Sequence, residues 1–272
     1  MAAAAGLAMA LILILAACGA AEDDASDIPM EEIVEDVLLD EEDREIPEEP
    51  TPVPAAAEGN PVREDFIDRI IALGKKLYDE ADGKRKRAHY AKDIYVCKNF
   101  TVYLFRQNRD DFRLAEYPET PLVIPNNLPA AKCKPYAYGF LWEEISAEKG
   151  NPFEVAAQFI YDTDLSKAEN MDRAMDFMRQ AQRGDYFQMS ADYEYGVGAH
   201  SAIMLGYDPE KDEIHWMDSN MRGGKKDGIR YGLVQYDAVK SVEWWASAFC
   251  HKKRGATLYR LRQDIIYADQ AP

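Results

Sequence analysis

The 272-residue chain carries a formal net charge of −17, but this charge is unevenly distributed. The first 60 residues hold 16 acidic side chains and one basic side chain, Arg44, so residues 61–272 carry a net charge of only −2. Because that part offers no basic stripe to neutralise phosphates, the composition argues against nucleic acid as a partner. The hydrophobic content of 47% is sufficient for an ordinary soluble core.

Residues 1–17 have the composition of a secretory signal, with an aliphatic centre at residues 11–15 that is too short for a stable membrane span. The segment continues Leu-Ala-Ala-Cys-Gly around Cys18, which resembles the bacterial lipobox, where the cysteine is acylated and becomes the new N-terminus. We therefore expect an extracytoplasmic lipoprotein that is anchored to the bacterial membrane through Cys18. The alternative is a plain signal peptide or short anchor in which Cys18 is incidental.

Residues 18–61 are acidic and end in a proline-rich run, a composition that cannot bury a core. We predict a disordered tether here and a single folded domain over residues 62–272.

The folded region begins with helical patterns and ends with strand patterns. Apolar spacing predicts helices over residues 66–77, behind Cys97, and twice within residues 151–182. Strands are predicted at 186–189, 200–207, 213–218, 231–236 and 256–261. Helices followed by an antiparallel meander predict an α+β fold.

Cys97 precedes an apolar run in which Phe100, Tyr103 and Leu104 share one helical face. A cysteine at a helix N-terminus lies near unpaired backbone N–H groups and the positive end of the helix dipole, which favour the thiolate. The pattern therefore indicates a nucleophile, although an isolated cysteine can also be a small buried hydrophobe.

Four histidines occur in the chain, and His200 alone opens an apolar strand directly after a glycine-containing loop. We therefore predict that His200 is the base that activates Cys97. Asp218 lies 18 residues further on, where the returning strand of a hairpin brings it back near His200. His215 is the alternative third residue, and because positions 215 and 218 differ in parity, only one of them can orient His200.

The order of these segments resembles the papain-like cell-wall hydrolases of the NlpC type, with the CHAP amidases as neighbours. Cys97, Phe100, Thr101 and Tyr103 fit the family's nucleophile segment, and Val96 and Lys98-Asn99 depart from it. Two further segments fit: Gly184-Asp185 at the middle strand, and the sequence His-Ser-Ala-Ile-Met-Leu-Gly from His200 to Gly206. The resemblance covers residues 65–262.

The resemblance implies a papain-like fold, with helices packed on an antiparallel sheet, and Cys-His catalysis. It also implies an oxyanion donor upstream of the nucleophile, for which Tyr90 is the nearest candidate beside the Cys97 backbone N–H. Cys133 and Cys250 remain, either as a disulfide or as free thiols. No CxxC, HExxH or calcium-loop spacing is present, so we expect no metal and no cofactor.

The sequence thus predicts a tethered, monomeric thiol hydrolase that cleaves an amide bond in the peptide part of peptidoglycan, as an endopeptidase or amidase. The expected partners are a cell-wall peptide or glycopeptide and, through the lipid anchor, the membrane. Two alternatives remain open. One is a papain-like protease or acyltransferase with another substrate, and the other is a surface-binding lipoprotein that kept the fold without activity.

Overall fold

The computed structural model describes residues 59–81, 87–89, 97–131, 141–191, 198–220, 225–226 and 229–270, with only the backbone given for residues 87–89, 225–226 and 229–232. The predicted signal segment lies outside the described residues, as do nearly all of the predicted tether and the residues Cys18, Tyr90 and Cys133.

The helices of the described residues are α1 (Pro61–Asp79), α2 (Cys97–Asn108), α3 (Trp142–Ser146), α4 (Lys167–Met178) and α5 (Val242–His251). The first six strands are β1 (Arg87–His89), β2 (Phe112–Leu114), β3 (Tyr117–Pro121), β4 (Phe153–Phe159), β5 (Tyr186–Met189) and β6 (His200–Asp208). The remaining strands are β7 (Glu213–Asn220), β8 (Lys225–Lys226), β9 (Ile229–Ser241), β10 (Ala256–Leu261) and β11 (Ile265–Tyr267).

One large antiparallel sheet forms the centre of the fold, in the order β1-β9-β7-β6-β5-β10-β4, with β8 paired to β9. A small antiparallel sheet has the order β11-β2-β3. The predicted α+β class is confirmed by this mixture of helices and antiparallel sheets. Strand β6 lies inside the large sheet: its first residues, from His200, pair with β5, and its pairing with β7 begins at Ile203.

Helices cover both faces of the large sheet. Helices α1 and α2 pack on one face, and the shared core there includes Phe66, Phe100, Ile203 and Met217. Helices α4 and α5 pack on the other face, whose core includes Ala202, Trp216, Trp245 and Phe249. The alternation of side chains along each strand supplies both cores at once, which explains why β6 reads as a continuous apolar run.

The sequence prediction was wrong for the first part of residues 151–182, which forms strand β4 instead of a helix. A register shift in the β4–β10 pairing, between Leu258 and Tyr259, interrupts the regular alternation. Phe153 consequently joins the core under α1 and α2, whereas Phe159 joins the core under α4 and α5. Apolar residues that alternate between faces in this irregular way resemble helical spacing in the sequence.

The predicted meander is also incomplete, because β10 does not follow β9 at the edge of the sheet. The chain leaves β9 through α5 and returns to insert β10 between β5 and β4. Helix α5 itself was not predicted. Its tryptophans, Trp244 and Trp245, pack in the core on that side.

None of the helices in the described ranges combines the length and the apolar character that a membrane crossing requires.

Asn60 fixes the start of the folded region. Its side-chain Oδ1 accepts a hydrogen bond from the Val62 N–H at 2.9 Å and so caps α1. Its Nδ2 donates to the backbone carbonyls of Gln263 and Ile265, at 2.7 and 2.6 Å, and thereby ties the first helix to the last strand.

We predict that Asn60→Ala lowers the free energy of unfolding by about 2 kcal/mol, because it removes a helix cap and two hydrogen bonds between distant segments. Asn60→Ser is the matched control: it keeps a good cap and loses only the two donors, so it should cost about half as much. Urea unfolding of the full chain measures both values. Equal stability of the two variants and the unmutated protein would show that Asn60 does not anchor the domain.

Candidate active site

Cys97 is the first residue of α2 and is only 4% exposed. Phe100 and Leu104, both fully buried, hold the helix against the sheet, and the Thr101 hydroxyl donates to the Cys97 carbonyl at 2.9 Å. Tyr103, the third residue of the predicted buried face, is half-buried and packs on the edge of the same core. The helix therefore fixes the sulfur at its N-terminal end, where unpaired N–H groups favour a thiolate.

The sulfur of Cys97 meets the first residues of β6. The thiol lies 3.8 Å from the Ala199 carbonyl oxygen, and the Ser201 N–H donates a hydrogen bond to the sulfur. Between these two backbone contacts, the imidazole of His200 forms a hydrogen bond with Cys97. Three consecutive residues, 199–201, therefore contact one sulfur atom, and the structure brings together the two residues that the sequence pairs as nucleophile and base.

Asp218 on β7 holds the far side of the imidazole. Its Oδ2 lies 2.7 Å from His200 Nε2, and the side chains are only 8% and 17% exposed, respectively. The register pairs Ile203 with Met217 and Met204 with Trp216, so Asp218 lies diagonally from His200 on the same face of the sheet. Because Nε2 is occupied by Asp218, the ring nitrogen that remains for Cys97 is Nδ1.

This arrangement shifts the protonation of both partners. Burial raises the pKa of Cys97, but the hydrogen bond and charge of His200, with the N–H groups of Ser201 and Lys98, outweigh it and leave the pKa below its ordinary value. Burial likewise lowers the pKa of His200, and the bonds to Asp218 and Cys97 outweigh it and raise that pKa to about 10. Opposite shifts of this kind favour a thiolate–imidazolium pair at neutral pH.

His215, the alternative third residue, does not face His200. Its Nδ1 lies 2.7 Å from Asp237 Oδ1, at the place where the β7–β9 register shifts and Asp237 adopts a φ of +52°. The difference in parity separates the two candidates as expected. Asp237 could not be predicted as the partner of His215, because the bulge that presents it depends on the pairing of β9 with β7.

Gly184 and Asp185, the motif that precedes β5, have a structural role. Asp185 is fully buried and accepts two hydrogen bonds from the Arg260 guanidinium, at 2.9 and 2.8 Å. Burial raises the pKa of this carboxyl despite the bond to Arg260. Gly184 has a φ of +85, and a Cβ there would come within 2.7 Å of Ile67, so only glycine fits. The motif anchors the start of β5 without touching Cys97.

Lys98, which departs from the family's nucleophile segment, is half-buried and forms no ion pair with another described residue. Burial lowers the pKa of its ammonium group, while the neighbouring Cys97 charge opposes that shift. The departure therefore adds a positive charge near the sulfur and leaves the geometry of the Cys-His pair intact.

Cys250 is a free, buried thiol in α5, packed among apolar side chains. Burial raises its pKa to about 11, the opposite direction from Cys97. Its proposed disulfide partner, Cys133, lies outside the described residues, as does the oxyanion candidate Tyr90. Within the described ranges, no group of three or more potential metal ligands is present.

Two residues that contact the site were not predicted from the sequence: Ser201, whose N–H donates to the Cys97 sulfur, and Gln188, whose side chain donates to the His200 carbonyl. Both are fully buried, and Gln188 lies opposite Ser201 in the β5–β6 pairing. A polar pair of this kind inside an otherwise apolar strand is the signal that was available in the sequence.

Comparison with known proteins identified no relative, since no family model, no curated protein and no solved structure matches the chain.

We predict that iodoacetamide modifies Cys97 well before Cys250 when the folded protein is treated near pH 7. The lowered thiol pKa keeps Cys97 ionised until the pH falls through it, whereas the pKa of Cys250 is raised to about 11. Peptide mass spectrometry at a series of pH values follows each cysteine separately, and Cys250 serves as the internal control.

His200→Ala should move the pH profile of Cys97 alkylation to higher pH, because the positively charged imidazole that stabilises the thiolate is lost. A Cys97 profile with an apparent pKa of about 8.5, the value of a free cysteine, would contradict the ion-pair assignment.

Proposed function

We propose that the protein is a papain-like thiol hydrolase that cleaves an amide bond in the peptide part of peptidoglycan. The observation that carries the proposal is the series Cys97–His200–Asp218, in which a helix-borne thiol, an imidazole and a buried carboxylate contact one another in turn.

The chemistry follows from these contacts. The Cys97 thiolate attacks the carbonyl carbon, and the oxyanion that forms lies close to the helix N-terminus, where the Cys97 N–H is a natural donor. The proton on His200 Nδ1 passes to the leaving nitrogen as the C–N bond breaks, which leaves a thioester and a free amine. Water then loses a proton to His200 Nδ1 and attacks the thioester, and the C–S bond breaks to release the acid and restore the thiolate–imidazolium pair. Asp218 holds Nε2 throughout, so the ring stays in one orientation.

The arrangement of elements supports a papain-like fold as the setting for this chemistry. The nucleophile begins a helix that packs on an antiparallel sheet, the base begins a central strand, and the orienting carboxylate lies on the adjacent strand. These are the placements that the resemblance to the NlpC type implies. The substrate class is supported by that resemblance and by the lipobox-like segment at Cys18, which would hold the domain close to the cell wall.

We predict that Cys97→Ala and His200→Ala each reduce turnover by at least about a thousandfold, and that the double variant loses little more, because residues acting as a unit are strongly non-additive. The reduction in turnover caused by Asp218→Ala should be about a hundredfold smaller than that of either variant, since Asp218 orients the ring without exchanging a proton with substrate. Steady-state kinetics on an amide substrate measures these values.

His215→Ala is the matched control for Asp218→Ala. It also breaks a histidine–carboxylate contact of 2.7 Å, which is partly buried and lies on the same strand but away from Cys97. Its turnover should stay close to that of the unmutated protein. A larger loss of turnover in His215→Ala than in Asp218→Ala would overturn the assignment of the third residue.

The substrate is tested by incubating the purified protein and Cys97→Ala with purified sacculi. We expect soluble peptides or newly exposed amino groups from the active protein only, as detected by mass spectrometry. Cleavage of a casein digest without any action on sacculi would instead indicate a protease with another substrate. Absence of both activities, with Cys97 unreactive, would favour a non-catalytic surface-binding protein.

A further inference from the structure

Next to the catalytic pair lies a buried polar group on β5 and β6, formed by Tyr186, Gln188 and Ser201, on the face of the sheet that packs against α1 and α2. All three side chains are fully inaccessible to solvent. The Ser201 hydroxyl donates to Gln188 Oε1 at 2.6 Å, and the Tyr186 hydroxyl donates to Ser201 Oγ at 3.4 Å. Burying three polar side chains in a core is costly unless their hydrogen bonds are made, and here they are made to one another and to the backbone.

The amide of Gln188 joins this group to the backbone of the catalytic strand. Its Nε2 donates to the carbonyl oxygens of Met189, at 3.0 Å, and of His200, at 3.2 Å. Met189 and His200 are also the last paired residues of the β5–β6 ladder at the active-site end. The side chain of Gln188 therefore holds together the two strands where backbone pairing stops.

The residues that Gln188 and Ser201 hold are those that contact the nucleophile. Ser201 donates its N–H to the Cys97 sulfur, the Ala199 carbonyl oxygen lies 3.8 Å from that sulfur, and His200 supplies the imidazole. A displacement of this strand end changes all three contacts together, because they are made by consecutive residues. Sites of this precision depend on a supporting shell, and misplacement of about 1 Å can reduce the rate a hundredfold.

We propose that Gln188 and Ser201 are positioning residues that set the register of β6 against α2 and thereby maintain the ionised Cys97–His200 pair. Neither side chain contacts the reacting atoms; both act through the backbone of residues 199–201. The inference rests on the proposed thiol chemistry for its effect on turnover, but its effect on the ionisation of Cys97 is measured without any substrate.

The test uses Gln188→Met, which keeps the length and removes the hydrogen bonds, and Ser201→Ala, which deletes a single oxygen and is the milder change. Each variant is followed by the pH profile of Cys97 alkylation, by kcat and KM, and by thermal unfolding. We expect the apparent pKa of Cys97 to rise by about half a unit to one unit and kcat to fall about tenfold with little change in KM, since the contacts to the thiolate are weakened.

Asn170→Ala is the control for a loss of stability alone. Asn170 is equally buried and makes several hydrogen bonds at the start of α4, on the other side of the sheet and away from Cys97. It should lower the melting temperature without moving the Cys97 profile.

The proposal is overturned if Ser201→Ala and Gln188→Met are folded and keep the Cys97 profile of the unmutated protein, or if Asn170→Ala shifts that profile as much. If Gln188→Met does not fold, Ser201→Ala and Tyr186→Phe decide the question by the same profile. A shifted profile in a protein without hydrolytic activity would support the positioning role and contradict the proposed function, so the two can fail separately.

Discussion

The structure of the candidate site depends on one junction, the contact between the N-terminal end of α2 and the first residues of β6. There three consecutive residues contact the Cys97 sulfur: Ala199 through its carbonyl oxygen, His200 through its imidazole and Ser201 through its N–H. Each side of the junction is fixed separately. The buried side chains of Phe100 and Leu104 hold the helix against the sheet, and β6 lies between β5 and β7 within the sheet. Because both elements are rigid, the thiol and the imidazole are held in contact before any substrate binds.

Electrostatic interactions at this junction explain how Cys97 and His200 can both be charged although they are buried. A buried thiol and a buried imidazole would each be neutral if alone, since desolvation opposes charge. Here each supplies the opposite charge to the other, and Asp218 adds a second partner for the imidazole. Cys250 illustrates the contrast within the same molecule, because burial there outweighs the charges of Lys167 and Arg173 and raises the pKa of the thiol to about 11.

Much of this could be predicted from the sequence because the decisive signals were local: a cysteine before an apolar helix, and a histidine opening an apolar strand. The placement of Asp218 against His200 follows from strand parity, since the extra residue at each register shift near positions 215–218 lies on β6 or β9 and β7 itself alternates regularly. Strand β4 was mistaken for a helix because its bulged pairing with β10 sends Phe153 and Phe159 to different cores. The roles of Gln188 and Asp237 depend on cross-strand neighbours, which a single sequence does not specify.

The most direct test of the central claim is the protonation state of His200, measured by nitrogen NMR of the imidazole and assigned with His200→Ala. The account predicts that both ring nitrogens of His200 carry protons at pH 7, and that Cys97→Ala lowers the pKa of the ring by removing the thiolate. A His200 ring that is neutral at pH 7, with a pKa unaffected by Cys97→Ala, would show that no thiolate–imidazolium pair exists and would contradict the account.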